Sequence, residues 1–206
     1  MSGLALRIAH RAACTASEGP HDRYALWVQG CTLACPGCCN PELFDPAGGE
    51  AMAVDELAAE VLAAGRAAAI EGLTVIGGEP LQQAEALLEL GARVRGGGLG
   101  VIVFTGYERG EVDAIAGPAA LAAAVDTLVC GRFDARRREP ARGGRRFLGS
   151  QNQTLVHLSG RYDDPALWRG GPSIDVVITA SGALEITGDP SLARRMLRRL
   201  GTDGDH

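Results

Sequence analysis

The sequence predicts an α/β fold built on a parallel sheet, and three observations lead there. From Tyr24 to Cys130 the chain alternates short apolar strands with helical stretches, the pattern of right-handed crossovers between parallel strands. The strands beginning at Leu73, Val101 and Thr127 are apolar without alternation, as expected where both faces are covered. Two motif-rich loops, Gly30–Pro41 and Gly77–Pro80, each follow directly on a strand. They therefore fall at one C-terminal sheet edge, where chemistry gathers in such folds.

Taken in order, Leu4 to Ile8 alternates like a strand, and Arg11 to Asp22 reads as irregular with a turn at Glu18-Gly19-Pro20. Tyr24 to Val28 is an apolar strand that runs into a cysteine-bearing loop ending near Pro46–Gly49. Asp55 is the expected N-cap of a helix to about Ala69 with Leu57, Val61 and Leu62 on one face. Leu73–Ile76 is a strand, and Leu81 to about Val94 is a helix with Leu87, Leu88 and Ala92 as its buried stripe. Val101–Phe104 is a strand. A helix over Glu111–Ala124 is broken at Gly117-Pro118, where proline removes a donor. Strands are expected at Thr127–Cys130, Gln153–Leu158, Ile174–Thr179 and Ala183–Ile186, and a final helix at Pro190–Leu200.

The 206 residues suit one domain over positions 1–206, and 46% hydrophobic with 22% charged residues argues against disorder. The net charge of −5 argues against general nucleic-acid binding. The basic residues are all arginine, and seven of them crowd Arg132 to Arg146 in an insert at about 132–148. Such a run is either a solvated loop or a docking surface for an acidic partner or a phosphate-bearing substrate. No run reaches the ~18 apolar residues of a membrane span. The N-terminal stretch lacks the pattern of a signal peptide, so the cytoplasm is expected. Clustered cysteines in that reducing compartment point to metal or redox chemistry rather than disulfides.

Cys31, Cys35 and Cys38 stand at C-x3-C-x2-C spacing within the loop 30–41. A loop this short can wrap three thiolates around one face of a [4Fe-4S] cluster, for which thiolate is the matching soft ligand. A structural zinc site would want four ligands in separated pairs, and no second pair lies downstream at the usual spacing. Cys39 could be counted as a fourth ligand, but adjacent residues are expected to point their side chains apart. Cys14 and Cys130 are poorly placed to supply one. Three ligands leave an open iron, and an open coordination site is how a metal centre binds a small molecule. Three buried thiols with no metal remain the bland alternative. Gly77-Gly78-Glu79-Pro80 alone could be a simple strand-ending turn; beside the cysteines it reads as a second part of one site.

With these residues the chain resembles the radical SAM superfamily, whose signature has the same cysteine spacing and a Gly-Gly-Glu turn after the second core strand. More narrowly it resembles the small activating enzymes of anaerobic ribonucleotide reductase and other glycyl-radical enzymes. That likeness is carried by Glu18-Gly19-Pro20, Trp27 to Cys31, Cys35-Pro36-Gly37-Cys38, Asn40-Pro41, Phe104 to Tyr107, Asp126 to Phe133, Gly149 to Gln153 and Ile186 to Pro190. Cys39, Cys130 and the length of the arginine insert depart from it.

The resemblance implies an incomplete (β/α)6 barrel of mostly parallel strands. It implies that Cys31, Cys35 and Cys38 bind the cluster, whose free iron takes the amino and carboxylate groups of S-adenosylmethionine (SAM). Reductive cleavage to a 5′-deoxyadenosyl radical would follow, the cofactor carrying the chemistry and the protein positioning it. Glu79 would accept a hydrogen bond from the SAM amino group, Gly77 and Gly78 would allow close backbone approach, and Thr105 and Gly106 could line the pocket. Asn152 and Gln153 fall near the substrate mouth, Trp27 reads as core, and none of His10, His21, His157 and His206 is assigned a role.

The partners implied are a glycyl-radical enzyme as substrate and an electron donor such as flavodoxin or ferredoxin. A stand-alone enzyme modifying a peptide or small molecule is the alternative. A non-catalytic iron–sulfur or zinc module is the second alternative, and it would have no use for Gly77–Pro80 at the same sheet edge.

Overall fold

The computed structural model describes residues 3–179 and 182–201. Strands β1 (Ala5–Thr15), β2 (Arg23–Val28) and β3 (Glu50–Ala53) precede helix α1 (Val54–Ala68). Then follow β4 (Gly72–Gly77), α2 (Ala84–Gly96), β5 (Gly100–Thr105), α3 (Arg109–Ala116), α4 (Pro118–Ala124) and β6 (Thr127–Cys130). After the arginine insert come β7 (Thr154–His157), the hairpin β8 (Ile174–Ile178) and β9 (Leu184–Gly188), and α5 (Pro190–Arg199).

The main sheet has seven strands in the order β3-β1-β2-β4-β5-β6-β7. Its centre, β2-β4-β5-β6, is parallel, while β1, β3 and β7 pair antiparallel at the flanks. The α/β class with a parallel core stands, but the six parallel strands expected of a (β/α)6 barrel are here four. The sheet ends in two unpaired edge strands, β3 and β7, instead of closing. The physical reason is the connections: a parallel partner needs a crossover helix, whereas β1–β2 are joined by a helix-free link and β6–β7 by the arginine insert, which holds one 3-10 turn and no α-helix.

One face of the sheet packs on the helices. Leu73, Val75, Val101, Val103 and Leu128 meet Leu57, Val61, Leu87, Leu90 and Val94 there, each fully buried aliphatic side chain contributing roughly 1.5–3 kcal/mol. The other face is covered by the C-terminal part of the chain, where Ile102 and Val129 pack on Leu148, Tyr162 and Trp168.

Local expectations are corrected at four places. Strand β1 runs on to Thr15 through the stretch read as irregular, because its outer half pairs with β2. Strand β3 was not foreseen. The α1 cap is Ala53, which puts Asp55 in the first turn, where a carboxylate complements the helix dipole. On α2 the buried stripe is Ala86, Leu87, Leu90, Gly91 and Val94, while Ala92 is exposed. The break between α3 and α4 falls at Gly117-Pro118 as expected.

Candidate functional site

The end of β2 shapes the cysteine loop. Gly30 donates its N–H to the Leu43 carbonyl and Cys31 to that of Phe44, so the loop returns beside its own start. Inside it, the Cys38 N–H bonds the Cys35 carbonyl, which folds the two cysteines into one turn. Next to it, the Gly77–Glu79 turn lies against the β2 end: Gly78 donates to the Val28 carbonyl and Glu79 to the Gly30 carbonyl, each at 2.8 Å. Gly77 has φ +104°, and a Cβ there would lie 2.7 Å from the Val28 nitrogen; one on Gly78 would lie 2.3 Å from the Gly30 oxygen. Both glycines are thus required by the strand that leads into Cys31.

Glu79 is buried, with only 1% of its surface exposed, and its carboxylate joins two strand ends. It accepts from the Leu81 N–H (2.9 Å), from the Thr105 hydroxyl (2.8 Å) and from the Gly106 N–H (2.8 Å). Burial pushes its pKa up, and these three donors pull it back. A carboxylate offers about four acceptor positions, so Glu79 keeps one in reserve, on the oxygen that holds Gly106.

Cys31, Cys35, Cys38, Gly77, Gly78, Glu79, Thr105 and Gly106 all line a single cavity of about 730 Å³ at the C-terminal edge of the parallel strands. This volume lies within the ~300–1,000 Å³ range of ligand pockets. The far wall comes from the insert (Arg138, Glu139, Arg145, Arg146, Phe147), and from Ile186 to Asp189 with the start of α5.

The donor set fits an iron–sulfur cluster. Among the described residues no three His, Cys, Asp or Glu side chains converge as a single-ion site requires. The three cysteines share the cavity without meeting at one point, and in a cubane each thiolate binds its own iron. The neighbouring Cys39 thiol favours the charged form of Cys38 and lowers its pKa, against the opposing effect of burial. Cys35 shifts up through burial, opposed by the Phe133 backbone N–H. Cys130 is buried in the main core, its pKa pushed up to about 11 by desolvation, and Cys14 is exposed on β1, away from the cavity.

Several residues of the site carried no recognised sequence signal. Gln82 accepts from the Thr32 N–H (3.2 Å) and donates to the Thr32 hydroxyl (2.6 Å), pinning the cysteine loop to the turn after Glu79. Gln83 donates to the Arg7 and Gln29 carbonyls and so ties β1 to the same loop. Their position two and three residues past Gly-Gly-Glu-Pro was the one available clue. Trp27, read as core, lines the cavity with the His10 ring tilted at 44° beside it, centroids 5.1 Å apart. Gln153 also lines it, but its side chain is spent on Gly149, Ser150 and Gly131 of the insert. Asn152 donates to the Arg132 carbonyl. His21 and His157 do not line the cavity, and His206 lies outside the described residues.

Comparison with known proteins places this architecture. Residues 17–156 match the family described as 4Fe-4S single cluster domain. The chain is 31% identical over 147 residues to the anaerobic ribonucleoside-triphosphate reductase-activating proteins of Salmonella typhimurium and Escherichia coli, covering 68% of this chain and 92% of each relative. It is 38% identical over 92 residues to the pyruvate formate-lyase-activating enzyme of Staphylococcus aureus, covering 40% of this chain and 34% of that enzyme. The cysteine spacing, the Gly-Gly-Glu turn folded against it and these likenesses agree, and the chain belongs to the 4Fe-4S single cluster domain family, alongside the radical SAM activating proteins.

Proposed function

We propose that this chain is a radical SAM activase that generates a glycyl radical on a partner enzyme such as an anaerobic ribonucleotide reductase. The observation that carries the reading is the meeting of Cys31, Cys35, Cys38 and the buried Glu79 in one cavity at the parallel-strand edge. When bound, the cluster and SAM supply one-electron cleavage of the sulfonium to methionine and a 5′-deoxyadenosyl radical.

The chain's own residues hold and orient. The three thiolates would ligate the cluster and leave one iron open. The spare acceptor position of Glu79 would take an N–H of the SAM amino group, a hydrogen bond assisted by the negative charge of the carboxylate. Thr105 and Gly106 hold that carboxylate in place from β5. The insert and the β8–β9 hairpin cover the cavity and keep water from a reactive species. The reading suits the reducing cytoplasm and requires a one-electron donor such as flavodoxin or ferredoxin.

The test is anaerobic reconstitution with iron and sulfide, then reduction in the presence of SAM. 5′-Deoxyadenosine is expected, and a glycyl-radical doublet in electron paramagnetic resonance after adding the reductase. Cys35→Ala is expected to lose the cluster absorbance; full absorbance in that variant removes the residue from the ligand set. A fully loaded cluster that yields no 5′-deoxyadenosine sinks the reading.

A second reading, an enzyme acting directly on a peptide or small molecule, draws on Arg138, Arg145 and Arg146 in the cavity wall. A product carrying a modified peptide or metabolite, with no radical on a reductase, would favour it.

A further inference from the structure

The arginine insert does two things at once. Arg138, Arg145 and Arg146 face the cavity, whereas Arg136 and Arg137 lie outside its lining. These two sit on the 3-10 turn Ala135–Arg137, and both are exposed. The same turn packs on the cysteine loop. A Cβ on Gly37 would lie 3.1 Å from the Cβ of Ala135, and Cys35 and Phe133 line the same cavity. The turn is also fixed: the Asp134 carboxylate accepts from the Arg136 N–H at 2.9 Å, and the Ser150 hydroxyl holds the Asp134 N–H at 3.2 Å. Arg136 makes one long ion pair, to Asp134 at 3.4 Å, and its side chain is 92% exposed. Arg137 has no ion-pair partner among the described residues. An exposed cationic tip thus stands on a turn that touches the three-cysteine loop, on a chain whose net charge is −5.

We infer that Arg136 and Arg137 form a docking surface for an acidic one-electron carrier protein, which reduces the cluster held by the adjacent cysteine loop. This rests on the activase reading and adds to it the route by which the electron enters. The carrier is oxidised by one electron and the cluster reduced by one, with no bond made or broken. Three features choose this occupant. A phosphate-bearing small molecule needs convergent donors in a concavity, and these two arginines are exposed and outside the lining of the cavity. A partner that surrenders a hydrogen atom must reach into the cavity, which these two side chains do not line. An electron carrier needs only to come close to the cluster from outside, and charge complementarity orients it for that approach and speeds encounter in a salt-dependent way.

The experiment uses the reconstituted holoprotein and oxidised or photoreduced flavodoxin as the acidic probe. Binding is measured by calorimetry at low and high salt, and cluster reduction by stopped-flow absorbance. Wild-type binding should weaken steeply as salt rises. Joint Arg136→Glu and Arg137→Glu substitution should weaken binding at least tenfold at low salt, flatten the salt dependence, and slow reduction by flavodoxin about as much. Photoreduction by 5-deazariboflavin should proceed equally in both proteins and release the same amount of 5′-deoxyadenosine. Arg136→Gln with Arg137→Gln should give an intermediate loss, which separates charge from folding.

Unchanged flavodoxin affinity in the charge-reversed protein, or no salt-dependent binding to wild type, overturns the docking surface while leaving the activase reading intact. A loss confined to the reductase complex does the same by assigning the patch to the substrate protein. Absence of 5′-deoxyadenosine from photoreduced wild type instead removes the activase reading on which the inference rests.

Discussion

The two ends of the parallel sheet both bury charged side chains, and Arg23 and Glu79 show two different uses of one. At the N-terminal end, Arg23 is fully buried and every donor is spoken for. It bonds Thr74, Glu71, Tyr162 and the carbonyls of Pro20, Leu73 and Gly100. Tyr162 closes the cluster with a short bond to Glu71. At the C-terminal end, Glu79 is equally buried but accepts three hydrogen bonds, keeps one acceptor position unused and lines the cavity. A saturated buried charge is a strut; one with capacity left over, beside a cavity, is suited to a ligand. Burial alone does not separate the two, whereas the count of partners does.

The sharpest way to break this comparison is at Arg23. Arg23→Ala takes the donor away from the buried Thr74 hydroxyl and the Leu73 carbonyl and leaves a cavity, while Glu71 keeps Arg161 and Tyr162, and the unfolding free energy of the cluster-free protein in urea is expected to fall by about 3 kcal/mol. Arg23→Met should fall by less, since an apolar replacement refills the space, and SAM affinity of the refolded holoprotein should not change. Glu79→Ala is the contrasting case: SAM binding, followed by calorimetry on the loaded protein, is expected to weaken by ~1.5–3 kcal/mol. Its stability should fall by about 2 kcal/mol from the donors left unpaired. Unchanged SAM affinity would make Glu79 a second strut.

A smaller effect is expected at Gln82, whose two bonds to Thr32 tether the cysteine loop. Gln82→Ala should cost ~1 kcal/mol and speed hydrogen exchange of the Thr32 amide while leaving the Arg23 end protected.

The smallest is a pH dependence at Glu18, which accepts from the Gly188 N–H at 2.6 Å where the β8–β9 hairpin meets β1. Burial raises its pKa to about 7. Between its ordinary value near 4.5 and about 7 the folded state holds a proton that the unfolded state has lost. Stability should therefore decline as pH rises through that window and level off above it. Glu18→Gln should remove this slope in denaturant titrations, and a slope that persists would assign the effect elsewhere.

Much of the chemistry was legible along the chain because it is local. The three cysteines lie within eight residues, and Gly77, Gly78 and Glu79 are consecutive, so spacing alone marked them. Placing both groups after strands sufficed to predict a common edge, and the cavity they share bears that out. Residues whose role depends on distant partners stayed hidden. Arg23 reads as an ordinary strand residue until Glu71 and Tyr162 fold over it. Trp27 read as core because strand aromatics are commonly packed, yet the open sheet edge leaves it in the cavity wall. The outer half of β1 and all of β3 were missed because flanking antiparallel strands show weak alternation and take their order from pairing.

The sequence by itself determined the α/β class, the parallel pairing of the central strands and the place of the cysteine loop after a strand, since periodicity and short-range spacing survive in one dimension. Tertiary structure decided how many strands run parallel, which glutamines tether the loop, and that the insert presents some arginines to the cavity and others to solvent. Those depend on hydrogen bonds and packing between segments far apart in the chain, and no local pattern encodes which distant groups will meet.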